Sequence, residues 1–331
     1  MTACDEKPLM QVVDVKKYFP VSSGKTLENK MLRAVDGVSF NVKYGETFGL
    51  VGESGCGKST LAKTILKLTK PTDGSVHFEG NNIYKMSKNE FQKVRREMQI
   101  VFQDPYDSLN PRMTLEEIIA EPFIIHKVPQ GEREKRIREL FDQVGLSEKL
   151  LKRYPHQLSG GQRQRLSIAR SLALYPKLVV CDEAVSALDV SIQAQILNLL
   201  LDLKDEFNLT YIFITHNISV AKFMSDKIGV MYLGRLVESA PKRELFENCL
   251  HPYTHALLSA VPNPYVSKQR VLLKGDIPSL VNPPIGCAFH ERCNYRKDIC
   301  KEMIPQLTEV KDNHYVACHM AGKLNLNLSI L

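Results

Sequence analysis

The chain has 331 residues, of which 44% are hydrophobic and 24% charged, with a formal net charge of +7. This mild basic charge argues against a dedicated nucleic-acid binder, which concentrates its charge on one stripe. No apolar run approaches the roughly 20 residues that span a bilayer, and the start MTACDEKPLM lacks the features of a secretory signal. We therefore expect a soluble cytoplasmic protein that reaches a membrane only through a partner.

The first fifth of the chain predicts strands, a tight loop and a helix. Residues 9–15 and 34–44 alternate apolar and polar side chains, as half-buried strands do. Residues 46–52, ETFGLVG, are a nearly continuous apolar run ending in glycine, which predicts a buried strand that enters a tight loop. A helix is predicted from Ser59, and the turn-forming cluster KPTDGS at 70–75 ends it.

The middle of the chain predicts helices and two buried strands. Residues 131–150 carry an apolar stripe among alternating charges, which indicates an exposed amphipathic helix, and a second helix is predicted over 161–174. Two apolar runs at 177–183 and 210–216 flank the helical segment 191–207. Strands that are apolar throughout and separated by a helix predict a parallel sheet buried on both faces.

The loop after residue 51 carries a phosphate-binding motif. GESGCGKST fits G-x-x-x-x-G-K-[ST]: its glycines let backbone amides turn inward around a phosphate, and Lys58 neutralises the β and γ oxygens. Ser59 offers a hydroxyl to Mg²⁺ at a helix N-terminus, while Cys56 is interpreted as a tolerant loop position rather than a nucleophile. The predicted nucleotide-binding residues of this loop are Gly52, Ser54, Gly55, Cys56, Gly57, Lys58, Ser59 and Thr60.

A pair of carboxylates follows the apolar run LVVCDE at 178–183. A buried strand here would deliver Asp182 to the Mg²⁺ shell and place Glu183 beside the γ-phosphate, where a water could attack. Without the other motifs, the two carboxylates could simply be polar residues at the point where the chain leaves a sheet. A phosphate loop by itself leaves kinases, GTPases, helicases and transporter ATPases open.

The segment LSGGQ at 158–162 narrows the choice among these classes of P-loop protein. Ser159, Gly160, Gly161 and Gln162 offer a hydroxyl and exposed amides at a helix start, which is a second anion site. Two phosphate sites on one chain are redundant unless two subunits meet head-to-tail. With these motifs in this order, the chain resembles the nucleotide-binding subunit of an ABC transporter. The family's other elements match Phe19 (or Tyr18) for stacking on adenine, Gln103 in VFQDP, Asp189 in SALD and His216 in ITH.

The resemblance implies a fold and a role for each matched residue. The fold is an α/β P-loop ABC ATPase core, with a parallel sheet, an antiparallel β part and a helical subdomain over about 105–172. Gln103 contacts Mg²⁺ and water and senses the membrane subunit, and Glu183 is the general base. His216 senses the γ-phosphate. Taken alone, it could be a histidine at a strand end whose hydrogen bonds are made within the fold. Asp189 bridges the two ATP sites.

Three stretches narrow the resemblance to oligopeptide and dipeptide permease ATPases: DEAVSALDVSIQAQILNLL (182–200), NPRMTLEEIIAEP (110–122), and HPYTHALLSAVP (251–262) followed by KGDIPSL (274–280). The resemblance implies an ATPase at the cytoplasmic side of the membrane, working with a second ATPase subunit, two permease subunits and an extracytoplasmic binding protein. A nickel or other small-solute importer, a soluble ABC ATPase acting on nucleic acid or ribosomes, and a P-loop kinase are the alternatives. We expect an ATPase domain over 1–264 and an extension over 265–331.

The extension contains four cysteines, separated by 5, 6 and 17 residues: Cys287, Cys293, Cys300 and Cys318. In a cytoplasmic chain, clustered thiols favour a metal over disulfides. The spacing lacks the short C-x₂₋₄-C of structural zinc and suits a [4Fe–4S] cluster, with His290 or His319 as optional ligands. Some peptide-permease ATPases carry such a cluster there, while zinc and free thiols are alternatives. Because this segment is expected to bury little core, a metal could stabilise its fold.

Overall fold

The computed structural model describes residues 7–21, 30–261, 271, 273, 275–324 and 326, without the side chains of Pro105 and Asp107. The chain divides into two compact units. The first lies within Met1–Val42, Thr47–Lys85 and Thr215–Leu331, and the second comprises Lys43–Glu46 and Met86–Ile214. The predicted domain boundary near residue 265 lies outside the described residues.

The strands are numbered along the chain. They are β1 Met10–Val21, β2 Lys30–Val42, β3 Thr47–Val51, β4 Asp73–Phe78, β5 Asn81–Asn82, β6 Met98–Val101, β7 Leu178–Asp182, β8 Thr210–Thr215, β9 Lys227–Tyr232, β10 Arg235–Pro241, β11 Thr308–Lys311 and β12 His314–Val316.

The helices are numbered in the same way. They are α1 Lys58–Ile65, α2 Lys88–Glu97, α3 Pro105–Ser108, α4 Leu115–Ile125, α5 Gln130–Gln143, α6 Gly160–Leu172, α7 Val190–Phe207, α8 Ile218–Met224, α9 Lys242–Glu247, α10 Pro252–Ser259 and α11 Ile299–Glu302, with 3-10 turns at Glu148–Leu150 and Pro155–Gln157. Among the helices of the described ranges, none combines the length and the apolar character that crossing a bilayer requires.

The first unit contains two groups of paired strands. An antiparallel sheet has the order β2-β1-β4-β5. The other group has the order β11-β12-β10-β9-β3. Among the described residues of this unit, β9 and β3 form the only parallel pair of that group. The loop between β3 and α1 therefore starts from a strand that is buried at every position, as the apolar run at 46–52 predicts.

The second unit is built on the parallel strands β6, β7 and β8, in that order. Every residue of β7 and β8 is buried, which confirms the prediction of parallel strands covered on both faces. Helix α7 connects β7 to β8, and α6 precedes β7.

Two predictions of local structure are wrong. The helix expected over 131–150 ends at Gln143, because Gly145 adopts a φ of +68° that reverses the chain, and residues 148–150 form a separate 3-10 turn. The extension, which is expected to bury little core, also packs more closely than that expectation implies. It contributes β11 and β12 beside β10, and it buries the side chains of Phe289 and Val316.

Candidate nucleotide-binding and hydrolysis site

The predicted phosphate loop joins β3 to α1 in the first unit. Gly57 caps α1 with a φ of +104°, and a Cβ there would lie 1.9 Å from the carbonyl oxygen of Ala34. Gly55 also has a positive φ, of +77°, and in the described part of the chain no atom lies within 4 Å of where its Cβ would be. The loop is therefore packed against β2 on one side and open at its tip, which suits a cradle for an anion.

The basic side chain of the loop is turned toward the loop's own backbone. Lys58 is buried, and its Nζ donates hydrogen bonds of 2.8 Å to the carbonyl oxygen of Gly52 and 3.0 Å to that of Glu53. Burial raises the pKa of the neighbouring Cys56 thiol, which disfavours the thiolate that a nucleophile needs. The groups that this loop offers to a nucleotide are therefore its amides, the ammonium group of Lys58 and the hydroxyls of Ser54, Ser59 and Thr60.

The two aromatic candidates for adenine stacking lie side by side on β1. The Phe19 ring is exposed, with the Lys17 amine 4.7 Å from its centroid. Tyr18 is half-buried, and its Oη donates a 2.5 Å hydrogen bond to Asp36, whose carboxylate also binds Arg235. Burial and this hydrogen bond raise the pKa of Tyr18 to about 12. Phe19 is thus the ring with a face available to a ligand.

In the second unit, the two carboxylates follow the buried strand as predicted. Asp182 ends β7, and Glu183 adopts a φ of +50° with its N–H donating to the carbonyl oxygen of Ile214 at 3.0 Å. Gln103 Nε2 donates a 3.2 Å hydrogen bond to Glu183 Oε2. The backbone of Glu183 is also held by Ser186, whose N–H and hydroxyl donate to its carbonyl oxygen. The structure therefore brings Gln103 and Glu183 together on a fixed backbone.

The LSGGQ segment begins α6 with a capping box. Ser159 Oγ accepts the N–H of Gln162 at 3.3 Å, and Gln162 Oε1 accepts the N–H of Ser159 at 3.1 Å. A Cβ on Gly161 would lie 2.7 Å from Ile192 at the start of α7. The small residues thus let the start of α6 pack against the segment that carries Asp189, the residue before α7.

His216 directly follows β8, belongs to the first unit and is exposed. The phosphate loop, Phe19 and His216 are thus placed on the first unit, and Gln103, Asp182, Glu183, LSGGQ and Asp189 on the second. The residue types fit MgATP, because amides, a lysine and glycines bind phosphates, and a hydroxyl and carboxylate oxygens suit Mg²⁺.

Sequence reasoning missed three residues at the phosphate loop, of which Arg292 and Tyr253 each contact the third, Glu53. Glu53 accepts two hydrogen bonds from the guanidinium of Arg292, at 2.8 and 3.1 Å, and its N–H donates to Tyr253 Oη at 3.0 Å. Arg292 lies 239 residues from Glu53 along the chain. Motif spacing carries no signal for such a contact, although HPY, the start of a stretch that resembles the peptide permeases, contains Tyr253.

The four cysteines of the extension line one cavity, together with His290 and His319. The sulfur atoms of Cys293 and Cys318 each accept the N–H of the residue two positions later, at 3.4 Å. Burial raises the pKa of Cys287 to about 12 and that of Cys318 to about 11. Amide hydrogen bonds to sulfur also occur at metal sites with cysteine ligands, so the types of donor are compatible with such a site.

The geometry nevertheless does not support the predicted cluster. Within the described ranges, no three His, Cys, Asp or Glu side chains are grouped so that they could hold a metal ion. The seven described cysteines are free thiols. The four thiols share a cavity, but neither the [4Fe–4S] cluster nor zinc follows from their arrangement in the described part of the chain.

Comparison with known proteins agrees with the motifs. A family described as ABC transporter matches residues 35–186, and one described as oligopeptide/dipeptide transporter, C-terminal region, matches residues 237–300. Oligopeptide transport ATP-binding protein AppF of Bacillus subtilis is 52% identical over 97% of this chain and 99% of its own. Oligopeptide transport ATP-binding protein OppF of Escherichia coli is 48% identical over 94% of this chain and 96% of its own.

A solved structure supports the same fold. The dimeric, post-hydrolysis state of the ATP-binding cassette MJ0796, bound to ADP and Pi, superposes with a TM-score of 0.62 at 32% identity, covering 71% of this chain and 99% of that one. The two matched families, the full-length relatives and this P-loop fold with mixed α/β sheets agree. The chain belongs to the ABC transporter family, as an ATP-hydrolysing subunit of the oligopeptide and dipeptide group.

Proposed function

We propose that this chain hydrolyses ATP to power the import of oligopeptides or dipeptides across the cytoplasmic membrane through partner permease subunits. The names of its relatives support the peptide cargo, and the match of residues 237–300 supports the same group. The observation that carries the hydrolytic role is the hydrogen bond between Gln103 and Glu183. This hydrogen bond holds the carboxylate of Glu183, the residue that directly follows Asp182, which is proposed to bind Mg²⁺.

The roles of the residues follow from their chemistry. The phosphate loop from Gly52 to Thr60 binds the phosphates through amides and Lys58, and Phe19 stacks on adenine. Ser59 offers its hydroxyl to Mg²⁺, and Asp182 and Gln103 offer oxygens. Bound Mg²⁺ neutralises charge on the phosphates. Glu183 accepts the proton of the attacking water, and His216 senses the γ-phosphate.

Replacing Glu183 with Gln tests the hydrolytic role. The amide cannot accept the proton of water, so phosphate release by the assembled transporter should fall on the order of 10²–10⁴-fold while MgATP still binds. Glu206→Gln is the matched control, because Glu206 is an exposed carboxylate of the same unit that pairs with Gln143. Hydrolysis at the wild-type rate by Glu183→Gln would contradict the assignment.

The partners are a second ATPase subunit, identical or different, and two transmembrane permease subunits. The second ATPase is placed head-to-tail, so that Ser159 to Gln162 of each chain reaches the nucleotide of the other, and Asp189 lies between the sites. A solved cassette of similar fold is dimeric and bound to ADP and Pi, which supports pairing with a second ATPase subunit. The assembly sits peripherally at the cytoplasmic side, receives solute from an extracytoplasmic binding protein and does not bind nucleic acid. Uptake of labelled peptides by cells with and without the chain tests the cargo.

An ATPase domain over 1–264, with its helical subdomain over about 105–172, and an extension over 265–331 complete the proposal. A [4Fe–4S] cluster on the extension stays part of it for the types of residue alone, because four cysteines line one cavity and two of them accept amide hydrogen bonds, although no three side chains in the described ranges are grouped to hold a metal. Anaerobically purified protein should then absorb near 400 nm and contain iron. Colourless protein with one tightly bound zinc contradicts the cluster.

A further inference from the structure

Glu53 is the second residue of the phosphate loop, and each of its polar groups is bonded within the first unit. Its carboxylate accepts both hydrogen bonds of the Arg292 guanidinium, at 2.8 and 3.1 Å. Its N–H donates to Tyr253 Oη, and its carbonyl oxygen accepts from Lys58 Nζ, both at 3.0 Å. The first turn of the loop is therefore fixed by residues from α10 and from the cysteine-rich extension.

The contact between Arg292 and Glu53 has a defined geometry. Two parallel N–H···O bonds set both the distance and the plane of the carboxylate, which a single point charge does not do. Arg292 is 8% exposed, and its guanidinium also donates to Tyr232 Oη at 3.4 Å. Glu53 is partly buried, and removing either member of the pair leaves the other charge without its partner in a site that water reaches only in part.

Arg292 is itself held on a rigid base. Its N–H donates to the carbonyl oxygen of Phe289 at 3.1 Å. The buried Phe289 ring packs against the rings of Tyr232 and Tyr253, with centroids 5.3 and 5.4 Å apart. The guanidinium and the Tyr253 hydroxyl therefore come from one packed cluster. The guanidinium contacts the carboxylate of Glu53, and the hydroxyl accepts the backbone N–H of Glu53.

These contacts determine where the backbone amides of the phosphate loop and the Lys58 ammonium group lie. Lys58 Nζ bonds the carbonyl oxygens of both Gly52 and Glu53, so a shift of Glu53 moves the ammonium group along with the amides. A displacement of about 1 Å is enough to weaken phosphate contacts strongly. Resting on the proposed binding of MgATP by this loop, we propose that Arg292 and Tyr253 are positioning residues for the phosphate loop, acting through Glu53 to set the affinity for MgATP.

The test measures nucleotide affinity of the full-length chain by titration with a fluorescent methylanthraniloyl-ATP and Mg²⁺. Arg292→Gln should raise the Kd about tenfold, since it removes a charged bidentate contact. Arg136→Gln is the matched control, an equally buried arginine of the second unit that packs on Tyr175. It should lower the thermal midpoint but leave the Kd within twofold.

Coupling between the partners distinguishes positioning from general destabilisation. If Arg292 acts through Glu53, the double variant Arg292→Gln, Glu53→Gln should bind no more weakly than the weaker single variant. Arg292→Lys, which keeps the charge without the fork, should fall between wild type and Arg292→Gln. Fold-changes of the single variants that multiply in the double variant would overturn the proposal, because the two side chains would then act independently.

Milder changes keep the test decisive where Arg292→Gln does not fold. Tyr253→Phe removes one hydroxyl, and Arg292→Lys keeps the charge. Both should raise the Kd several-fold in protein with a cooperative thermal transition. In the assembled transporter, the KM for ATP should rise in parallel while kcat changes less than twofold. A Kd within twofold of wild type for both variants overturns the proposal.

Discussion

Glu238 and His314 are both completely buried and are joined by a 2.8 Å contact between Oε1 and Nε2. Glu238 lies on β10 and His314 begins β12, so the contact ties the extension to the strand beside it. The same carboxylate accepts the N–H groups of Leu250 and His251, at 2.6 and 3.1 Å. One carboxylate thus organises the junction of β10, β12 and the start of α10.

Replacing His314 with Leu should lower the free energy of unfolding by about 3 kcal/mol, because the buried Glu238 carboxylate loses one of the three contacts just described. Urea unfolding followed by circular dichroism measures this. Arg243→Ala breaks the exposed pair with Glu247 and should change stability by less than about 0.5 kcal/mol. Equal small losses in both variants would show that the buried contact contributes little.

Replacing Gly57 with Ala should abolish tight binding of MgATP. The new Cβ would meet the Ala34 carbonyl oxygen at 1.9 Å in a backbone conformation that favours glycine, so the loop must move. Gly80→Ala is the comparison, with a φ of +80° and, among described atoms, none within 4 Å of its Cβ. That variant should cost only about 1–2 kcal/mol of stability and bind nucleotide normally. Normal binding by Gly57→Ala would refute the packing argument.

Two variants of Ser159 separate helix capping from phosphate binding. Ser159→Ala removes the side chain that accepts the N–H of Gln162 and should cost about 1 kcal/mol of stability. Ser159→Asp keeps a good cap and should keep the stability, yet its carboxylate repels phosphate. ATP hydrolysis by the assembled transporter should therefore fall in both variants. Wild-type hydrolysis by Ser159→Asp would exclude an anion at this helix start.

His251 should make the protein sensitive to acid. Burial lowers its pKa from 6.5 to about 3, and its Nδ1 accepts the N–H of Tyr253 at 3.1 Å. A depressed pKa means that the unfolded chain binds the proton first. The stabilisation is then complete above pH 6.5 and falls toward pH 3, by up to about 1.4 kcal/mol per pH unit. His251→Asn keeps the cap, so its stability should depend less on pH. Identical pH slopes in urea unfolding would contradict this.

The sequence predicts those parts of the fold and site that are local. The phosphate loop is recognisable because strand, loop and helix follow one another within twenty residues. Strand β7 is recognisable because it begins with an uninterrupted apolar run. The pair of Gln103 and Glu183 could be expected only through the family resemblance. The end of α5 at Gln143 is not predicted, because the apolar stripe continues beyond it while the positive φ of Gly145 ends the helix.

The remaining features depend on contacts between distant parts of the chain. Strands β11 and β12 have four and three residues, too few for an alternating pattern to show. They form because the open side of β10 pairs with β12 and because His314 reaches Glu238. The contact of Arg292 with Glu53 likewise has no local signature. In both cases packing of the extension decides the outcome, and no single segment encodes it.

The pairing of β12 with β10 also bears on solubility. A chain cut near residue 265 would leave β10 as an open edge with unpaired N–H and C=O groups, and such edges recruit strands from other molecules. In the intact chain the outer strand is β11, which is exposed throughout and carries Glu309 and Lys311. Charged residues on a short edge strand discourage pairing between molecules. We therefore expect versions that lack β11 and β12 to precipitate at concentrations where the 331-residue chain stays dissolved.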